Sequence, residues 1–209
     1  GSLDLGGAER HLFQVLPELK NRGWMVQLYC VSRRGVMADA LEEKGIPVFT
    51  PSIAGSSGAD IGRRLLRLIA ATWGLTAHLC VNQPSAVHFF LPQAYMLGAV
   101  CALIARTPVR IMSRRSLNDY QKKRPISRWL ERVLHHTTHR VLGNSLAVVD
   151  QLRGEGLPAG KIDLIYNGIE VGLLAAKRAR AEVRSALGIE ADTLVFIMVA
   201  NLIHYKGHS

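Results

Sequence analysis

Hydrophobic and polar residues follow two different periods along this chain, one typical of helices and the other of strands. Between residues 6 and 23 the apolar positions recur at helical spacing, and Gly23 is a natural end for that helix. The same period predicts further helices over residues 35–43, 59–73, 94–105, 126–136 and 145–153. Short apolar runs predict strands over residues 25–31, 46–49, 86–91, 109–113, 139–142 and 162–166.

The order of these elements predicts the fold class. Strands that alternate with helices indicate an α/β fold with a Rossmann-like, mostly parallel sheet and helices on both faces. Residues 68–105 contain no Asp, Glu, Lys or Arg, a length that could span a bilayer. Gly74, the turn at residues 82–84 and Pro92 divide this stretch, so we interpret it as helix, strand and helix.

The two ends of the pattern indicate a truncated chain. An apolar run over residues 193–200 predicts a strand, but only nine residues follow it, and no strand precedes the first helix. We therefore expect residues 1–168 to form an N-terminal domain that lacks its first strand. Residues 169–209 would form a linker, a short helix over residues 182–187 and the first strand of a second domain.

Charge changes the picture because it is unevenly distributed. The 209 residues contain 26 Lys and Arg against 16 Asp and Glu, a net charge of +10 that favours anionic partners. Residues 106–140 hold ten of the bases and two acids, a net charge of +8. Arg114 and Arg115 follow the end of a strand, where open α/β sheets bind ligands. The other bases fit either a solvated helix face or a membrane contact: Lys122, Lys123, Arg124, Arg128 and Arg132.

Cysteine and histidine patterns argue against a metal site. The three cysteines are widely spaced, which fits a reducing compartment and indicates neither a disulfide framework nor a thiolate zinc site. The triplet His135, His136 and His139 lacks the Glu that a zinc protease motif requires, so we expect no metal. His88 lies within an apolar strand, and it either forms a hydrogen bond in the core or reaches a cleft.

Two glycines and one lysine lie where phosphate could bind. Gly6 and Gly7 precede a helix whose free N–H groups favour an anion, although such a pair can equally serve a tight turn. Lys206 follows the last apolar run and could neutralise a diphosphate as a point charge, or lie in a solvated loop.

Five segments in order give the chain a family resemblance. They read G-G-A-E-R at 6–10, V-L-G-N-S-L-A-V at 141–148, L-I-Y-N-G-I-E at 164–170, L-G-I-x-A-D-T-L-V-F at 187–196 and V-A-N-L-I-H-Y-K-G-H at 199–208. This order resembles the family 4 retaining glycosyltransferases of the GT-B fold, and the resemblance covers nearly the whole chain.

The resemblance implies two Rossmann-like domains that face a cleft, the N-terminal one for the acceptor and the C-terminal one for a nucleotide-sugar. Such enzymes retain the anomeric configuration and need neither a metal nor another cofactor, because protein groups stabilise the leaving diphosphate. Gly6 and Gly7 would approach the donor phosphates and the acceptor, and Lys206 would contact the diphosphate. We also predict that Glu9, Asn144 and Asn201 belong to the donor or acceptor site, together with Arg114 and Arg115 at the strand end.

The chain also departs from the family pattern. Asn201 stands where an Arg is common, and residues 113–116 offer no Glu or His to which a catalytic role can be carried over. The donor-site carboxylates of the family would lie after residue 209. We therefore assign no catalytic residue and expect this fragment to be inactive alone.

These observations predict a cytoplasmic glycosyltransferase, and the family resemblance implies that it acts on a bacterial surface polysaccharide or a lipid-linked sugar. Six bases would attach it to the inner face of the membrane: Arg63, Arg64, Arg67, Lys122, Lys123 and Arg124. The alternatives are a non-catalytic or epimerase relative of the same fold, or a basic nucleic-acid-binding module. Against the last stand an aromatic content of 6% and the lack of a recognition motif, so we expect no nucleic-acid partner.

Overall fold

A computed structural model describes residues 3–4, 6–51, 61–117, 124–168 and 171–199. The chain divides into two compact units, residues 1–168 and residues 169–209. Within the described residues, no helix combines the length and the apolar character that crossing a bilayer requires.

Helices and strands alternate along the described part of the first unit. Its helices are α1 (Gly7–Asn21), α2 (Ala38–Glu43), α3 (Ile61–Asn82), α4 (Pro92–Ile104), α5 (Pro125–Thr137) and α6 (Leu146–Gly154). Its strands are β1 (Leu28–Tyr29), β2 (Val48–Phe49), β3 (Ala86–Phe90), β4 (Val109–Arg114), β5 (Arg140–Gly143) and β6 (Ile162–Leu164), the last preceded by a 3-10 turn at Ala159–Lys161. Each predicted helix and strand up to residue 166 corresponds to one of these elements.

The strands form two sheets, and within each sheet the strands are parallel. β1 pairs with β2, and a second sheet has the order β3-β4-β5-β6. In that sheet Ala86 lies opposite Val109, Ile111 opposite Arg140, and Val141 opposite Ile162. The predicted α/β class with a parallel sheet is therefore confirmed.

Two apolar clusters cover opposite faces of β3. The larger cluster contains Phe89 and joins α3, α4, α5 and α6, with buried Leu79, Tyr95, Met112 and Leu152 among its members. The smaller cluster joins α1 and α2 to the β1-β2 sheet, and Phe90 packs against it. Since consecutive strand residues point to opposite faces, helices cover the sheet on both sides at β3.

The helix predicted over residues 59–73 continues as α3 to Asn82, through Gly74. A glycine inside a helix costs about 1 kcal/mol relative to alanine, which is less than the gain from burying Leu75, the next residue, and Leu79, just over one turn later. A Cβ at position 74 would lie 3.3 Å from the Tyr29 hydroxyl, so the glycine also lets that ring approach. The two other predicted breaks occur, since α3 ends at residue 82 and Pro92 begins α4.

The described residues of the second unit form a 3-10 turn at Val171–Leu174 and a short helix, α7 (Arg180–Ala186). Residues 193–199, for which we predicted a strand, pair with no strand in the described part of the chain. A strand is defined by hydrogen bonds to a neighbour, and apolar sequence alone does not supply them. Large side chains here are exposed, including Phe196 and Val199.

Candidate functional site

The carboxyl ends of β3, β4, β5 and β6 meet at one edge of the larger sheet because these strands are parallel. Arg115 follows β4, Asn144 follows β5 and Asn167 lies three residues after β6. The Asn144 side-chain amide donates a hydrogen bond to the Arg115 carbonyl oxygen at 3.2 Å. The Arg115 guanidinium donates to Asn167 Oδ1 at 2.8 Å. The ends of three strands thus hold one cation at this edge.

The first turns of α1 lie beside this cation. Desolvation lowers the pKa of Arg115, and the negative charge of Glu9 offsets part of that effect. The pKa of His11 is lowered by desolvation and by the positive charge of Arg115. A Cβ at Gly6 would overlap the Glu9 carboxylate, so this side chain would have to swing away from the start of the helix if position 6 carried a larger residue. Gly7 is exposed, with open space where a Cβ would lie.

His88 extends the same cluster from β3. Its Nε2 lies 2.7 Å from the Ser113 hydroxyl, and its ring lies 4.2 Å from the Phe90 ring, which is in turn 6.2 Å from His11. Packing against its neighbours lowers the pKa of His88 to about 4 through desolvation, with smaller contributions from His11 and Arg115, and the residue as a whole remains exposed. His88 is therefore a neutral imidazole near pH 7, and of the two roles left open by the sequence it is the cleft position that the structure favours.

Arg114 lies elsewhere, which corrects the expectation that it joins Arg115 as a ligand-binding residue. It is 2% exposed, and its guanidinium donates to Glu131 Oε1 at 2.6 Å and to Glu155 Oε1 at 2.7 Å. Burial alone would lower its pKa, but the two carboxylates outweigh that effect and raise it. The reason is strand alternation: Ser113 faces the cluster around His88, so Arg114 points to the opposite face.

A buried hydrogen-bond chain continues from Arg114. Its Nη2 lies 3.3 Å from His135 Nε2, and because a guanidinium can only donate, Nε2 must accept. The proton of the neutral ring is then on Nδ1, which donates to the Tyr95 hydroxyl at 3.0 Å. Tyr95 donates to Thr138 Oγ1 at 2.8 Å, and Thr138 donates to the Leu134 carbonyl at 3.0 Å. This chain ties the end of β4 to α4 and α5.

The same chain occupies both ring nitrogens of His135. Desolvation, followed by the charge of Arg114, lowers the pKa of this histidine to about 4. Its neighbours His136 and His139 are exposed. In the described ranges, no three His, Cys, Asp or Glu side chains are grouped so as to hold a metal ion.

The structure thus brings Gly6, Glu9, Arg115 and Asn144 together. Gly7 is exposed beside them, and Arg114 lies in the core, away from the cluster. Asn201 and Lys206 lie outside the described residues, as do Lys122 and Lys123. Sequence reasoning missed three residues of the cluster: His11, Ser113 and Asn167. The sequence held a signal for two of them. Ser113 lies two positions before Arg115, which places both on the same face of an extended strand. Asn167 follows a predicted strand end, as Asn144 does.

The sequence profile of Glycosyltransferase Family 4 matches residues 5–173, about four fifths of the chain. This chain belongs to Glycosyltransferase Family 4. The match begins just before the Gly6-Gly7 turn and includes every residue of the cluster at the sheet edge. A comparison with curated proteins found no match.

Solved structures show the same fold. The chain is similar to Anabaena HepE in complex with UDP, with a TM-score of 0.67 and 20% identity over 90% of this chain. It is similar to HepE in complex with UDP-glucose, with a TM-score of 0.66, 20% identity and 88% coverage. MurG of Acinetobacter baumannii gives a TM-score of 0.54, 14% identity and 81% coverage.

The family 4 chain spans about half the length of these proteins, namely 49%, 46% and 45% of them in turn. HepE and MurG are glycosyltransferases of the GT-B fold, so the α/β unit corresponds to part of a GT-B architecture, as the sequence predicted.

Proposed function

We propose that this family 4 chain is the acceptor-side part of a glycosyltransferase that transfers a sugar from a nucleotide-sugar to a glycan or a lipid-linked acceptor. Residues 1–168 would carry the acceptor side, and residues 169–209 would begin the nucleotide-sugar domain. The observation that carries the proposal is the convergence of Arg115, Asn144, Glu9 and His88 beside the Gly6-Gly7 turn. Ligands of open α/β folds bind at this carboxyl edge of the sheet.

The chemistry of this edge suits a phosphorylated sugar. Arg115 supplies a fixed positive charge, and its hydrogen bond to Asn167 holds the guanidinium in one orientation. Neutral His88 offers a hydrogen-bonding group for sugar hydroxyls and does not repel the Arg115 guanidinium beside it. Protein donors of this kind could stabilise a leaving diphosphate, which supports our proposal of transfer with retention and without a metal. Gly7, Asn201 and Lys206 complete the proposed binding set.

The second part of the proposal is the place of action, which is the cytoplasmic side of the membrane. Residues 106–140 carry a net charge of +8, and an anionic surface would attract them. Arg63, Arg64, Arg67, Lys122, Lys123 and Arg124 remain the bases proposed for this attraction. Of these side chains the structure describes only Arg124, which is exposed at the start of α5.

The test is nucleotide-sugar binding by the full-length protein. We expect UDP-glucose, the donor bound in one HepE structure, or another nucleotide-sugar to raise the melting temperature in a concentration-dependent way. Arg115→Gln should weaken this binding about tenfold, because a charge-assisted contact to a phosphorylated ligand contributes about 1.5 kcal/mol. Arg22→Gln removes an exposed arginine at the opposite end of α1 and should change nothing.

Three results would contradict the proposal in different ways. If no uridine or guanosine diphosphate sugar stabilised the protein, the proposal of a nucleotide-sugar donor would be excluded. Equal binding by the Arg115 and Arg22 variants would remove the proposed site. Epimerisation of the bound sugar without transfer would favour an epimerase of the same fold.

A further inference from the structure

The outer face of α5 carries an apolar stripe that no part of the described chain covers. Ile126 is 79% exposed, Trp129 is 65% exposed and Val133 is 40% exposed. Their spacing of three and four residues places them on one side of the helix, opposite buried Glu131. The stripe is therefore a surface feature of a well-packed helix.

The solvent-facing charges on α5 and at its N-terminal flank are all of one sign in the described part of the chain. Arg124 and Arg128 are exposed and Arg132 is half-buried, and all three lie on or next to α5. The one acid of the helix, Glu131, is buried in its ion pair with Arg114, so the solvent side of α5 carries no carboxylate. An apolar stripe that contains Trp and is flanked by Arg is the pattern of a helix that lies in a membrane interface.

We propose that α5 docks on the surface of an anionic bilayer, with Ile126, Trp129 and Val133 entering the interface and the arginines contacting lipid phosphates. A protein partner that covered the stripe would have to bury the flanking guanidinium groups, which needs matched carboxylates. Lipid headgroups accept them at the surface, because the long arginine side chains can extend toward the phosphates. This surface shares Arg124 with the bases proposed from sequence, but here the apolar residues would carry the insertion.

The stripe also lies near the candidate site, and the consequence of that position for the acceptor rests on the proposed function. Since α5 leads into the parallel strand β5, its first turn lies at the same edge of the sheet as Arg115 and Asn144. An open cavity of about 300 Å³ lies there, lined by Leu91, Met96, Ser116, Arg124 and others. Arg124 belongs to both features. A bilayer on α5 would bring a lipid-linked acceptor to the edge where the site lies.

A rival surface exists on α3, where Leu66, Ile69 and Trp73 are also exposed at helical spacing. The experiment must therefore distinguish the two helices. Three tryptophans serve as reporters, because Trp24, Trp73 and Trp129 all have exposed side chains. Variants that retain a single tryptophan, with the other two replaced by Phe, report on one surface each.

The full chain is mixed with vesicles of phosphatidylcholine, with or without phosphatidylglycerol, including lipids brominated along the acyl chains. Only the variant that retains Trp129 should show a blue shift and bromine quenching, and only with phosphatidylglycerol present. Trp129→Ala combined with Ile126→Ser should reduce the amount of protein that sediments with these vesicles about tenfold. Trp24→Ala, which truncates an equally exposed ring, should leave sedimentation unchanged. Arg124→Gln with Arg128→Gln should remove the preference for phosphatidylglycerol, whereas Arg178→Gln with Arg180→Gln should not.

The proposal is overturned if Trp129 stays unquenched, if Trp73 alone is quenched, or if the paired α5 variants sediment as the unchanged chain does. The stripe variants alter exposed side chains only, so we expect them to fold. An unchanged circular dichroism spectrum is the control for this. Nucleotide-sugar stabilisation is measured on the same variants of the full-length protein without vesicles. If the unsubstituted protein binds nucleotide-sugar but not vesicles, the membrane surface and the proposed membrane location are both refuted, and the proposed sugar transfer still stands.

Discussion

At the scale of single residues, the fate of each charge depends on which face of a strand it occupies. Ser113 and Arg114 are neighbours in sequence, yet one joins the cluster around His88 and the other lies in the core. Arg115 leaves the strand and stays at the sheet edge, where Asn144 and Asn167 hold it. A buried arginine is tolerated because Glu131 and Glu155 pair with it.

His135 should make the stability of the fold sensitive to acid. Its pKa is about 4 in the fold against 6.5 for a free imidazole, so the unfolded chain binds a proton that the folded chain does not. Stability should therefore fall as the pH drops from about 6.5 to about 4, and this group should contribute nothing to the slope above pH 6.5. The loss due to this one group should reach up to about 3 kcal/mol. Urea unfolding across this pH range measures it.

The variant His135→Gln separates this contribution from that of His88, which acts in the same direction. Its stability should depend less steeply on pH between 4 and 6.5, even though the variant is less stable overall. His136→Gln alters an exposed neighbour and should keep the full slope. An identical slope in the His135 variant would show that another group controls the acid response.

At the scale of elements, the larger cluster depends on close approach between α4 and β3. Gly98 of α4 is fully packed, and a Cβ there would lie 2.6 Å from Phe89 Cε1 and 2.9 Å from Phe89 Cδ1. A ring held in a core cannot shift without disturbing its other neighbours. The helix and the strand are therefore in contact through a position that only glycine fits.

We expect Gly98→Ala to destabilise the fold by about 1–3 kcal/mol, the usual cost of overpacking a core. Gly154→Ala is the matched control, because it also lies in a helix but a Cβ there meets nothing within 4 Å. That control should be neutral or stabilising by up to about 1 kcal/mol, because alanine favours the helix. Equal melting temperatures for the two variants would mean that Phe89 can move aside.

At the scale of the whole molecule, the two units differ in how they bury apolar surface. Both apolar clusters lie within residues 1–168. The described residues of the second unit contain no fully buried side chain, and their apolar run at residues 194–199 is exposed. Cooperative stability should therefore come from the first unit.

We predict that residues 1–168 expressed alone unfold in one cooperative transition with the same thermal midpoint as the 209-residue chain. The shorter protein should also bind less of the dye ANS, because the exposed apolar run is removed. Calorimetry and dye fluorescence measure the two effects. A lower midpoint for the shorter protein would show that the second unit contributes to the core.

The sequence by itself determined the order of the elements, the α/β class and the family, because each depends on local periods and on motifs read along one chain. It also nominated Arg115, Asn144 and Glu9 as binding residues, a role that stays a prediction, and the structure places the three at one edge of the sheet. Only the tertiary structure decided that Arg114 is interior and that His11, Ser113 and Asn167 join the cluster. It alone showed the exposed stripe on α5. Side chains distant in sequence meet only when parallel strands align their carboxyl ends, and an apolar residue is known to be uncovered only once every neighbour has been placed.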